Sequence, residues 1–192
     1  MRRIFLPRSL NELWAVIADE PAARVYAGGT DLLVAMRSGM VDPPALICLE
    51  RLADLQGVRE EGEDLWLGAA TTHSALLKNP LIRQHLPVLA QALQTLGSPP
   101  IRNMGTIGGN ICTASPAGDT LPPLYVLAAE VELHGKAGIR RVPLHQFITG
   151  PGQTLLGAGE ILTGIRIRKP PGVNHQRFTK VGQRQALACC IA

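Results

Sequence analysis

The sequence predicts an α+β chain of two regions that ends in an element cut short or continuing into more protein. Three observations carry this prediction. Over residues 1–56 the hydrophobic pattern runs strand, helix, strand and yields a βαβ unit. Near residue 57 it changes to a hairpin and short β segments interleaved with helices, which sets apart a second region over 57–172. Over 173–192 the chain closes on the apolar run "ALACCIA" without cap, turn or polar tail, the end expected of an element cut short.

Each element has a local cause. In "SLNELWAVIAD" (9–19), apolar residues at Leu10, Leu13, Trp14, Ile17 and Ala18 share a helical face, Ser9 is a candidate N-cap and Glu12 completes a capping box; Pro21 ends the helix. "RVYAGG" reads as a short strand, "TDLLVAMRSG" as a helix closed by Gly39, and "ALICLER" as a strand parallel to the first. "GVREEGEDLWLGAATT" reads as a hairpin. "THSALLKNP" and "LIRQHLPVLAQALQTLG" read as helical, with Pro87 at a boundary or a first helical position. The segment from Ser98 to Gly135 holds five glycines and five prolines and ends in the strand Val131–His134. The remainder supplies short β segments, the last containing Ile161, Ile165 and Ile167.

Composition narrows the function. At 192 residues, 46% apolar and 18% charged, the chain is globular; no run of about 18 apolar residues and no secretory signal appears, which points to the cytoplasm. Cys48, Cys112, Cys189 and Cys190 lack C-x-x-C spacing, so they read as buried thiols rather than cluster or zinc ligands. The net charge of +4 gathers its basic excess in Arg166, Arg168, Lys169, Arg177, Lys180 and Arg184, read as a solvated face. With two Trp, two Tyr and three Phe there is no basic and aromatic interleaving for nucleic acid. Zinc-protease, nucleophile-elbow, P-loop and G-x-G-x-x-G motifs are missing; His73 and His145 read as structural. Any chemistry therefore falls to a bound cofactor.

Two glycine segments stand out. Between strand and helix lies Ala27-Gly28-Gly29-Thr30-Asp31, which reads either as a tight turn or as a set of free backbone N–H groups facing an anion. "RNMGTIGGN" (102–110) reads as a second glycine-rich turn framed by Thr106 and Asn110. Two such turns, each able to offer oriented N–H groups, suit a ligand with two phosphates. Asp119, in the loop "SPAGDTLPP", is either an exposed turn residue or a hydrogen-bond acceptor for ligand hydroxyl or ring N–H groups.

As an ordered set, "AGGTDLL", "RNMGTIGGNICTASPAGDTLPPL", "LGAATTHSALL", "VPLHQFITGPGQT", "GEILTGIRI" and "RFTKVGQR" resemble the FAD-binding subunit or domain of molybdenum hydroxylases, the xanthine, carbon monoxide and aldehyde dehydrogenase group. The resemblance implies a vanillyl-alcohol-oxidase-type fold, with extended FAD between two α+β subdomains and a third domain beside the flavin ring. It implies cofactor contacts from Val25, Tyr26, Ala27, Gly28, Gly29, Thr30, Asp31 and Leu32, and from Thr106, Ile107, Gly108, Gly109 and Asn110, which complete the phosphate cradle. Asp119 matches a carboxylate that hydrogen-bonds the cofactor, Leu162 an adenine-side contact and Lys180 a basic residue near the isoalloxazine. Leu96 stands where animal xanthine dehydrogenases place a flavin-contacting Phe and offers no π face. Asp31 is left as either helix cap or flavin contact.

The resemblance further implies an electron-transfer subunit with no metal of its own. Molybdopterin would lie on a large partner subunit and [2Fe–2S] clusters on a small one, and electrons would leave the flavin for NAD⁺ or another acceptor. The extra cysteine-rich loop of hydroxybenzoyl-CoA reductases is missing, which disfavours that branch. A stand-alone FAD-dependent oxidoreductase and a flavin-free assembly module are the alternatives.

Overall fold

The computed structural model of the chain describes residues 2–172 and 175–180. Its first part is β1 (Arg3–Phe5), α1 (Leu10–Asp19), β2 (Arg24–Tyr26), α2 (Leu32–Arg37) and β3 (Ala45–Cys48), and a short 3-10 turn, Ala53–Leu55, comes next. The strands form a parallel sheet in the order β1-β3-β2, so the expected βαβ unit is present and gains an N-terminal strand. β3 sits centrally and all four of its residues are buried, which explains its unbroken apolar run. Ser9 caps α1 by accepting from the Glu12 N–H at 3.2 Å. The expected reciprocal bond moves one residue outward, because Glu12 accepts from the Arg8 N–H at 2.6 Å. α2 is shorter than "TDLLVAMRSG". It ends in a Schellman motif, with Gly39 at φ +74° donating to Met36 and Met40 donating to Ala35.

The second part begins with the hairpin β4 (Val58–Glu61) and β5 (Asp64–Gly68). After it come helices α3 (His73–Lys78), α4 (Pro80–His85), α5 (Pro87–Thr95), α6 (Pro99–Met104), α7 (Ile107–Thr113) and α8 (Leu121–Val126). The chain continues with β6 (Glu130–Gly135), β7 (Gly138–Pro143), α9 (Leu144–Phe147), β8 (Ile148–Gly150), β9 (Gln153–Thr154) and β10 (Ile161–Arg168). β4-β5-β10-β6-β7 make an antiparallel sheet whose apolar residues merge with the helices in one large core. Pro87 opens α5, as its position in the sequence suggests.

The segment between Ser98 and Ala129, in which the sequence shows a glycine-rich turn at 102–110 and a loop around Asp119, holds α6, α7 and α8, with Asp119 in the connection between α7 and α8. Four of its five prolines, Pro99, Pro100, Pro122 and Pro123, stand in the first turns of α6 and α8, where the N–H groups have no partner within the helix, so they start helices instead of interrupting them. The "RNMGTIGGN" turn is likewise a helix start, with Gly108 and Gly109 inside α7.

The basic residues are not one solvated face. Arg166 is mostly buried and pairs with Glu61 and, at 3.2 Å, with Glu132. Glu132 also accepts from Trp66 Nε1 at 3.3 Å, and Trp66 carries the Arg59 guanidinium 3.4 Å above its ring. Arg168 and Lys169 do lie outside, pairing with Glu63 and Glu60. Lys180 is buried, while Arg184, Cys189, Cys190 and the run "ALACCIA" lie outside the described residues. Cys48 is a buried free thiol and Cys112 a partly buried one.

A second core joins α1, β3 and the 3-10 turn with Ala70 and Ile161, so the two sheets are tied together. Trp14 adds an edge-on contact to His134 at 4.9 Å between ring centroids. Among the described residues no helix is long and apolar enough to cross a membrane.

Candidate functional site

The site forms where the β2–α2 connection meets the start of α7. Gly28 makes the meeting possible, since a Cβ there would lie 1.6 Å from the Met104 carbonyl oxygen. Gly29 adopts φ +70°, a left-handed conformation that turns the chain into α2. The backbone N–H groups of Gly28, Gly29, Thr30, Asp31 and Leu32 have no acceptor among the described residues. Five successive open donors around a left-handed glycine make a concavity suited to an anion.

The second glycine segment differs. Thr106 caps α7, its Oγ1 accepting from the Gly109 N–H at 3.1 Å. The expected open donors are used inside the protein instead: Ile107 N–H donates to Thr71, Gly108 N–H to Ala69 and Asn110 N–H to the Thr106 carbonyl. A Cβ on Gly108 would lie 2.6 Å from the Ala69 Cβ, so that glycine serves packing of α7 against the end of β5. What this segment presents outward is the bare face of Gly109 and the side chain of Asn110, held at 2.5 Å by the Thr120 hydroxyl.

A cavity of about 490 Å³ opens between these segments. All eight residues from Val25 to Leu32 line it, together with Leu96, Thr106, Gly109 and Asn110. An adjoining cavity of about 480 Å³ shares Arg24–Ala27, Gly109, Cys112 and Gly152 with it and adds Gly108 and Leu162. The two lie along one strip of chain, each within the range of about 300–1,000 Å³ common for small-molecule sites. Leu96 and Leu162 thus line different cavities. Ile107 lies wholly in the core.

Asp119 and Lys180 form a buried ion pair, Nζ to Oδ2 2.7 Å, and are not among the residues lining these two cavities. The exposed-turn reading of Asp119 is thereby corrected: it is 5% exposed. Neighbouring Thr120, through its bond to Asn110, links that pair to the cavity wall. Asp31 is also corrected as a cap. It occupies the N-cap position of α2 without a capping bond, and its carboxylate accepts from the Thr113 hydroxyl at 2.7 Å across the cleft.

Among the described residues, the charged side chains lining the first cavity are Arg24 and Asp31, and Glu160 joins Arg24 in the second. Burial pushes the Cys112 thiol up to about 12, and burial together with the neighbouring Cys48 pushes Tyr26 up to about 12, so both stay neutral at physiological pH. His73, missed as a site residue by sequence reasoning, lines the first cavity with its Nδ1 unbonded. The signal available was its place directly after the Thr72 helix cap, in "ATTHSALL".

Comparison with known proteins gives a concordant picture. A family model described as the FAD binding domain in molybdopterin dehydrogenase matches residues 1–170. The chain is 35% identical over 193 residues to the nicotinate dehydrogenase FAD-subunit of Eubacterium barkeri, covering 97% of this chain and 65% of that protein. It is 36% identical to the carbon monoxide dehydrogenase medium chain of Afipia carboxidovorans, covering 93% and 62%. The solved carbon monoxide dehydrogenase from Hydrogenophaga pseudoflava superposes with a TM-score of 0.93 at 31% identity, over 98% of this chain and 66% of that one. The chain thus spans about two thirds or less of the length of these relatives. Its α+β architecture is that of their FAD-binding portions, and the chain belongs to the family of FAD-binding domains of molybdopterin dehydrogenases.

Proposed function

We propose that this chain binds FAD and acts as the electron-transfer component of a molybdenum hydroxylase in the cytoplasm. In this reading residues 1–56 and 57–172 are the two halves of the cofactor cradle, and 173–192 open a third domain. Substrate is oxidised at a molybdopterin centre on a large partner subunit. Electrons arrive from [2Fe–2S] clusters on a small partner and leave to NAD⁺ or another acceptor. The chain alone has no hydroxylase activity.

The observation that carries the reading is the run of five unpaired N–H groups from Gly28 to Leu32 over a cleft that continues into a second cavity. A dinucleotide needs such a bipartite, extended site, with donors for its diphosphate at the junction. Bound flavin supplies the redox chemistry. The chain's own residues bind and orient. The Gly28–Leu32 donors fix the diphosphate, Arg24 opposes its charge, and the Thr113 hydroxyl bonds to the Asp31 carboxylate beside it. Asn110, braced by Thr120, offers an amide to the ligand's polar groups, while Leu96 and Leu162 supply apolar walls to the two cavities.

The test is to strip the purified chain of flavin and titrate it with FAD and with riboflavin, following flavin absorption and fluorescence. FAD is expected to bind at least about 100-fold more tightly than riboflavin, because the diphosphate contacts carry charge-assisted hydrogen bonds. Failure to bind added FAD overturns the reading.

A further inference from the structure

We propose that the hydrogen bond from the Thr113 hydroxyl to the Asp31 carboxylate is a latch that holds the Gly28–Leu32 donors in place for the ligand's diphosphate, which makes Thr113 a positioning residue. This rests on the FAD reading above.

The two sides of the bond are anchored unequally. Thr113 is the last residue of α7, a helix fixed by Ile107 and Ile111, both wholly buried. Next to it Ala114, 3% exposed, turns the chain left-handed at φ +46°, and its carbonyl accepts from the Gly152 N–H at 3.0 Å. Asp31 immediately precedes α2, in which no residue is buried. A short helix without a buried face has little packing to fix its place. Among the described residues no other hydrogen bond joins residues 27–41 to the second part of the chain.

The Asp31 carboxylate is available for this bond because it does not serve its own helix. It stands at the N-cap position of α2 with φ −101° and ψ −52°, a helical backbone, and makes no capping bond. A capping Asp ordinarily takes extended backbone and accepts from an N–H two or three residues on. Here the carboxylate reaches the Thr113 hydroxyl at 2.7 Å, 82 residues away, and the N–H groups from Gly28 to Leu32 stay open. Both partners line the first cavity, as do the residues carrying all five donors, so the bond ties the donor array to the wall it faces. Donors on a loose segment must be ordered when the anion binds, and that ordering weakens binding; donors already held in place lose less. Charge acts in the opposite sense, since Asp31 is itself an anion beside the diphosphate, so its use is positional and not attractive.

Fluorescence titration of the flavin-stripped full chain with FAD and with riboflavin tests the latch. Thr113→Val should weaken FAD binding by about tenfold and binding of riboflavin, which has no diphosphate, by less than about twofold, with an unchanged urea midpoint. Thr113→Ser restores the hydroxyl and should bind FAD within about threefold of wild type. Placed on Asp31→Ala, Thr113→Val should cost nothing further, because the bond is already gone. Wild-type FAD affinity in Thr113→Val, an equal loss for FAD and riboflavin, or the full tenfold loss in the Asp31→Ala background overturns the proposal and leaves the cofactor reading standing. No FAD binding by the wild type overturns both.

Discussion

The two glycine segments are built from the same residues and do different work. In Gly28-Gly29-Thr30 the glycines let two loops touch and turn the chain through a left-handed step, which leaves five N–H groups open. In Thr106-Ile107-Gly108-Gly109-Asn110 the threonine comes first and caps a helix, and the N–H groups from Ile107 to Asn110 are used within the protein. The first segment is a donor array, and the second is a smooth helical wall set against it. A glycine pair next to a threonine therefore does not by itself specify an anion site. The deciding factor is whether the backbone beyond it reaches internal acceptors.

Substitutions can break or sharpen this contrast. The largest effect is expected at Gly28, where alanine drives its Cβ into the Met104 carbonyl. Gly28→Ala should lose more than about 3 kcal/mol in urea denaturation, and retention of wild-type stability would refute the close approach. Gly109→Ala should separate binding from folding. The residue is helical and its Cβ meets only Thr106 Oγ1, at 3.0 Å, so stability should change by less than about 1 kcal/mol. The methyl group would project into the cleft, however, and FAD affinity should drop by about tenfold or more, read by fluorescence titration. The smallest effect is expected for Thr106→Val, which removes the cap on α7. It should cost about 1 kcal/mol by thermal melting, and an unchanged Tm would mean that the cap contributes nothing.

Elements with local causes are legible in the sequence. The Ser9 cap, the Gly39 helix end, the β4–β5 hairpin and the parallel pairing of β2 with β3 all arise from neighbouring residues. Residues 98–129 are not, because proline and glycine counts point to loops while their positions at helix starts and against Ala69 do not show in composition. At the candidate site, the Val25–Leu32 strip stands out from its glycines and its strand-to-helix setting. His73 does not, since a single histidine carries no spacing signal.

By itself the sequence determined the α+β class, the change of architecture near residue 57 and the two glycine segments, because these depend on periodicities and turn chemistry within a few residues. The tertiary structure alone decided which N–H groups stay open. It also joined Asp31 to Thr113, Asn110 to Thr120 and Asp119 to Lys180, pairs 82, 10 and 61 residues apart, and set His73 in the cavity wall. The physical reason is that donor satisfaction and burial are properties of packed neighbours, and residues distant in the chain become neighbours only when both cores form.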